Sequence, residues 1–232
     1  MDPHGRETGA HVASRRSTVL LLFAVGCTHA LLFLLSYGLL TSMPGAHASD
    51  ADLVAFYESG DQRRLILVGL YVMPFAGIAF LWFSTALRVL IQAASLRRGE
   101  LLAGVQHVAG ILYVALFFAG AAASSVMAVS VEFTSSPVDA VVARQMPEYG
   151  AILIMGFAMR MAAMYVFTTS RLGRMTGVLP RWFALVGVVV GLFLLLSASF
   201  SRALVLVFPI WLLVLCALLV RRAWQPSVAS AA

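Results

Sequence analysis

The sequence contains no lysine and no asparagine, only two cysteines, and charged residues at just 11% of 232 positions. Each shortage removes a class of explanation. Without asparagine there is no N-glycosylation acceptor. Cys27 and Cys216 lie in apolar runs at different expected depths, so no disulfide between them is expected. Soluble domains carry about 25% charged residues, and a chain this short exposes too much of its area to stay in water with so few. All sixteen basic residues are arginine, a bias expected of a GC-rich bacterial genome. The net charge of +6 does not point to nucleic acid, because the arginines flank apolar runs and form no patch beside aromatics.

Chemistry is as sparse as charge. None of the ten carboxylates falls inside a long apolar run, which removes the intramembrane acid that ion-coupled pumps use. There is no Gly-rich phosphate loop and no G-x-S-x-G elbow. No His/Cys/carboxylate group has ligand spacing. Methionines crowd 155–164, and thioethers suit Cu(I), but Arg160 in the same stretch would repel it. The sequence therefore supplies no catalytic set, no metal site and no cofactor motif.

What remains is grease. The chain is 61% hydrophobic, with a mean hydropathy of +0.94. A membrane span needs about 20 mostly apolar residues, and six stretches meet or approach that: Ser17–Met43, Leu65–Ala93, Leu101–Val131, Tyr149–Ser170, Trp182–Phe200 and Ala203–Val220. Backbone in lipid must satisfy its own hydrogen bonds, so each is expected to be a helix. The reading is an all-α polytopic bundle of six transmembrane helices spanning 17–220, with tails at 1–16 and 221–232. Arg15-Arg16 before the first run imitates a secretory signal, but the run far exceeds the 7–15 apolar residues of one. Helix one is read as retained.

Arginine sets the orientation. With the amino terminus inside, eleven arginines are cytoplasmic: Arg6, Arg15, Arg16, Arg88, Arg97, Arg98, Arg171, Arg174, Arg181, Arg221 and Arg222. Four lie opposite: Arg63, Arg64, Arg144 and Arg202. Both termini are expected in the cytoplasm, in a bacterial inner membrane. The two outer loops carry helix signals. Ser49 with Asp52 suits a helix start and Gly60 its end. Ser136, with Pro137 at the first helical position, suits a second start, ending near Pro147. Both read as short amphipathic helices, either connecting spans at headgroup level or roofing an outer cavity with Phe56, Tyr57 and Val141 as lid residues. Ser201-Arg202 leaves almost no connection between the last two spans, which predicts a tight antiparallel hairpin.

Arg160 stands near the middle of the fourth run, about 16 Å along the helix from Arg171. A charge there costs roughly 2.5–3.5 kcal/mol on insertion scales and calls for a partner. Three readings stay open. It bonds to backbone carbonyls freed by Pro74 or Pro209, it snorkels to Glu132, Glu148 or a lipid phosphate, or it holds an anionic ligand in its planar fork. His29 lies at similar depth, and Tyr165 is a candidate third contact. Gly26-x-x-x-Ala30, Gly120-x-x-x-Ser124 and Gly187-x-x-x-Gly191 are read as close-packing faces.

The stretch Tyr71–Phe83 (YVMPFAGIAFLWF), together with Met159–Met164 (MRMAAM) and Thr176–Gly187 (TGVLPRWFALVG), resembles a group of bacterial, largely actinobacterial, multipass membrane proteins of unknown function. The resemblance covers helices two, four and five. It implies a bacterial membrane and carries no site residues with it. The functional expectation is therefore a bilayer protein handling a small anionic or lipid-like ligand at Arg160, His29 and Tyr165. The alternatives are an accessory subunit that binds a membrane-protein partner or its own copies, and an enzyme using His29 as acid–base.

Overall fold

The computed structural model describes residues 3–40, 44, 47–93, 99–197 and 202–224, with the backbone alone for 3–16, 40, 202 and 203. Among these residues every regular element is helical and no strand occurs. The helices are α1 (Pro3–Leu40), α2 (Asp50–Glu58), α3 (Arg63–Ala93), α4 (Glu100–Thr134), α5 (Ala140–Met175) and α6 (Arg181–Leu196). A 3₁₀ turn, Arg202–Leu206, leads into α7 (Val207–Ala223). Five segments are long and apolar enough to cross a membrane: Ser17–Leu39 of α1, all of α3, α4 and α5, and Leu204–Ala223. The shorter α6 is also apolar, with 16 residues. The side chains of Arg6, Arg15, Arg16, Arg97, Arg98 and Arg202 lie outside the described residues, as does Ser201. So does the carboxy-terminal tail from 225, whereas the backbone of α1 is already helical from Pro3.

Local chemistry explains the element ends. Ser49 accepts from the Asp52 amide while the Asp52 carboxylate accepts from the Ser49 amide, so two otherwise orphaned donors are satisfied at the start of α2. Just past its end, Gly60 adopts φ +89, a backbone that side chains resist. The start of the second short helix differs from the sequence expectation. Ser135 turns left-handed at φ 50 to close α4, and Ser136 and Pro137 stay outside any helix. Asp139 is the cap instead, its carboxylate accepting from the amides of Val141 and Val142. A carboxylate that reaches two free amides outcompetes a serine committed to the preceding turn. Nor does this helix end near Pro147. It runs unbroken through the proline into the fourth apolar run.

Two helices widen locally. In α3, Val68–Val72 forms a π-turn, with the Met73 amide donating to the Val68 carbonyl. Pro74 has no amide to give and its ring crowds the Leu70 carbonyl, so the backbone opens there. In α5 the wide turn covers Ile152–Ala158, with the Met159 amide donating to Ile154.

Small residues set the packing. A methyl group at Gly150 of α5 would stand 2.6 Å from the Gly120 carbonyl oxygen and would overlap the Ser124 hydroxyl. One at Gly26 would stand 2.5 Å from the Cys216 sulfur, joining α1 to α7. On α6, Gly187 abuts Ser170, and a methyl at Gly191 would stand 2.9 Å from the Phe167 ring. These contacts dock α6 chiefly on α5, while α7 lies chiefly against α1. The last two helices also meet, through a Phe183–Trp211 stack at 5.7 Å, while residues 198–201 of the connection expected to make them a tight hairpin lie outside the described residues. Outward faces stay bare and apolar: Leu196 is 73% exposed and Leu185 66%. Such faces fit a protein embedded in a membrane.

Candidate functional site

The aromatic centre of the bundle forms the floor of a cavity. Phe33 of α1 and Phe117 of α4 stack at 5.5 Å, and Tyr113 stacks on Phe117 at 5.8 Å. Around them pack His29, Phe80 and Phe208. Above this floor opens a cavity of about 230 Å³. Its walls are stripes dictated by helical periodicity. Phe33, Ser36 and Tyr37 share one face of α1, and Arg144, Glu148, Ala151 and Met155 recur every third or fourth residue along α5. Ser124 and Met73 add the α4 and α3 sides, and Leu53, Phe56 and Tyr57 of α2 form the roof. Most of the lining is carbon. Its polar side chains are Ser36, Tyr37, Tyr57, Ser124, Arg144 and Glu148, of which Tyr57 and Arg144 lie at the roof.

The roof is clasped. Arg144 Nη2 donates to the Ala48 carbonyl at 2.7 Å and to Asp50 Oδ1 at 2.8 Å, tying α5 to the start of α2. Arg144 Nε is buried and has no partner among the described residues. Glu148, one turn further along, is exposed and forms no ion pair among them. A second clasp links α3 to α4, where Arg63 and Gln62 both donate to Glu132, at 3.2 and 3.4 Å. Tyr57 is buried, and burial pushes its phenol up to about 12, so the roof hydroxyl stays neutral across ordinary pH.

The sequence candidates scatter around this cavity. Phe56 and Tyr57 line it, edge to face at 5.3 Å. Val141 is 60% exposed and does not line it. His29 and Tyr165 meet the same pair of rings below the floor, Phe80 and Phe208. A carbonyl oxygen only accepts, so His29 Nδ1 carries a proton and donates to Ala76 at 2.8 Å. Arg160 does not join them. It stands five residues before Tyr165, which turns the two side chains about 140° apart at 3.6 residues per turn. Its Nη1 donates to the carbonyl of Gly156, within the wide turn of α5. Among the described residues no carboxylate lies within ion-pair reach of it, and it is absent from the cavity lining. No group of three His, Cys, Asp or Glu side chains converges among the described residues, and both cysteines are free thiols.

Neither family models, nor curated proteins, nor solved structures match the chain. The cavity geometry adds Arg144 and Glu148, which the sequence alone marks only as a loop charge and a distant partner for Arg160. Their spacing of four, in phase with Ala151 and Met155, was the signal. It was masked because α5 was expected to break at Pro147.

Proposed function

We propose that the protein is a six-span bundle of a bacterial cytoplasmic membrane, with both termini inside, that binds a lipid-like amphiphile in the roofed outer cavity. The cavity carries the reading: an apolar chamber with a polar mouth matches a molecule with an apolar body and a polar head. Five long apolar helices support the membrane placement. The sixth span would be α6. Its 16 residues rise about 24 Å, close to the ~30 Å hydrocarbon core, and its exposed face is apolar.

Orientation is supported by Arg88, Arg171, Arg174, Arg181, Arg221 and Arg222 at one end of the spans, against Arg63, Arg64 and Arg144 at the other. In this frame α2 and the start of α5 are amphipathic elements at the outer headgroup level. Arg160 has a structural role, compensating a carbonyl in the wide turn of its own helix rather than holding the ligand.

The test is lipid retention. The full chain and Ala151→Phe, whose ring would fill the chamber, are extracted in polymer-bounded bilayer discs and stripped with mild detergent. Their tightly held lipid is then counted by native mass spectrometry. The wild type should retain a lipid that Ala151→Phe loses at unchanged helicity; equal retention by both refutes the reading.

A further inference from the structure

Resting on that reading, we propose that the head of the bound amphiphile carries an ammonium group, which Glu148 receives. The charges at the mouth point this way. Among the described residues Arg144 is the one cationic side chain lining the cavity, and its Nη2 is already given to Asp50 and Ala48. Toward a ligand Arg144 retains its buried Nε–H and the N–H groups of Nη1, but its charge is already opposed by Asp50. Glu148 lines the same mouth with its carboxylate in no ion pair among the described residues. With Arg144 neutralised by Asp50, the mouth is left with one net negative charge. By sequence the surrounding outer segments deepen that bias, with seven carboxylates (Asp50, Asp52, Glu58, Asp61, Glu132, Asp139 and Glu148) against four arginines, Arg63, Arg64, Arg144 and Arg202. A purely anionic head would meet an arginine already paired with Asp50 and an unopposed carboxylate. A cationic head meets a free acceptor.

The spacing also suits a head holding both signs. Arg144 and Glu148 lie one turn apart on α5, about 6 Å along its axis. Nε can donate to a phosphate or ester oxygen while the carboxylate accepts from an ammonium beyond it. The shared chemistry is thus an ammonium on an apolar body, from an aminophospholipid or from a free alkylamine.

The experiment measures displacement of a fluorescent lipid from full-length protein in neutral-detergent micelles. Competitors are dioleoyl phosphatidylethanolamine, dioleoyl phosphatidylglycerol and dodecylamine. A part-exposed ion pair is worth up to about 1 kcal/mol, or about fivefold. The ethanolamine lipid should therefore compete about fivefold better than the glycerol lipid. Glu148→Gln should erase that preference while the glycerol lipid binds as well or better. Glu58→Gln removes the same charge from an exposed residue outside the cavity lining and should leave the preference intact. Dodecylamine competing as well as the ethanolamine lipid identifies the ammonium alone as the determinant; failure of the amine with success of the ethanolamine lipid assigns recognition to ammonium and phosphate together. Equal competition by the two phospholipids, or a preference that survives Glu148→Gln, overturns the proposal and leaves the cavity reading standing. Absence of any saturable displacement overturns both.

Discussion

Two glycines six residues apart on α5 should answer the same substitution in opposite ways. At Gly150 an added methyl would stand 2.6 Å from the Gly120 carbonyl oxygen, a backbone atom that cannot rotate away, and would overlap the Ser124 hydroxyl. To restore an ordinary 3.4 Å contact, α4 must retreat by about 0.8 Å. Overpacking of this kind costs roughly 1–3 kcal/mol. At about 2–4 °C per kcal/mol for a chain this long, Tm should fall by roughly 2–12 °C. At Gly156 the nearest atom to an added methyl is Ile152 Cγ2 at 3.7 Å, ordinary contact. There the alanine only restricts the unfolded chain, worth roughly 0.5–1 kcal/mol of stabilisation. Thermal unfolding of Gly150→Ala and Gly156→Ala, followed by helical circular dichroism in one detergent, separates the two. Gly150→Ala should also lose retained lipid, because Ser124 and Ala151 beside the seam line the cavity. Equal tolerance at both positions would refute the close α4–α5 approach, and with it the shape assigned to the chamber wall.

Other parts of the structure make narrower predictions. Asp50→Asn removes an exposed ion pair worth at most about 1 kcal/mol, so global stability should barely move while amide exchange across Asp50–Glu58 quickens; unchanged exchange would mean the clasp does not hold the roof. His29→Ala should cost roughly 2–5 kcal/mol of stability by opening a void among Phe33, Phe80, Tyr113 and Phe208, read as a lowered Tm; a silent substitution would contradict the packed core. Arg160→Leu should leave lipid retention unchanged, because Arg160 bonds within its own helix; loss of lipid at unchanged stability would return the ligand to Arg160. Tyr57 supplies a pH test. Its phenol is raised from 10.0 to about 12, so above pH 10 the unfolded chain sheds a proton that the folded roof keeps. The contribution of Tyr57 should be intact below pH 10 and fall away between pH 10 and 12, and Tyr57→Phe should remove that component of the alkaline loss.

The residues explain which features could be read in advance. Long apolar helices could be read because hydrocarbon demands long apolar runs, and the α2 start because Ser49 and Asp52 complete each other locally. The second cap was misplaced because Ser136 and Pro137 satisfy the same local rule, and only the left-handed Ser135 hands the role to Asp139. Glycine pairs announced close faces correctly, but the identity of the opposing helix depends on the whole bundle. Gly187 and Gly191 hold α6 on α5, the helix before it, rather than on α7, the helix after it. Arg160 drew attention as a lone charge among apolar residues. Its partner is a carbonyl four residues back in a π-turn, and no spacing rule reveals that turn. The mouth formed by Arg144 and Glu148 needed α5 to stay continuous through Pro147, which proline alone argues against.

Photocrosslinking tests most directly whether an amphiphile lies inside the outer chamber. A phospholipid with a diazirine in its acyl chain is equilibrated with the full chain, irradiated, and its adducts mapped by peptide mass spectrometry. Adducts concentrated on Phe33, Phe117, Ile154 and Met155, and suppressed by Ala151→Phe, are the predicted result. Labelling confined to the bare outer faces, such as Leu185 and Leu196, would contradict it.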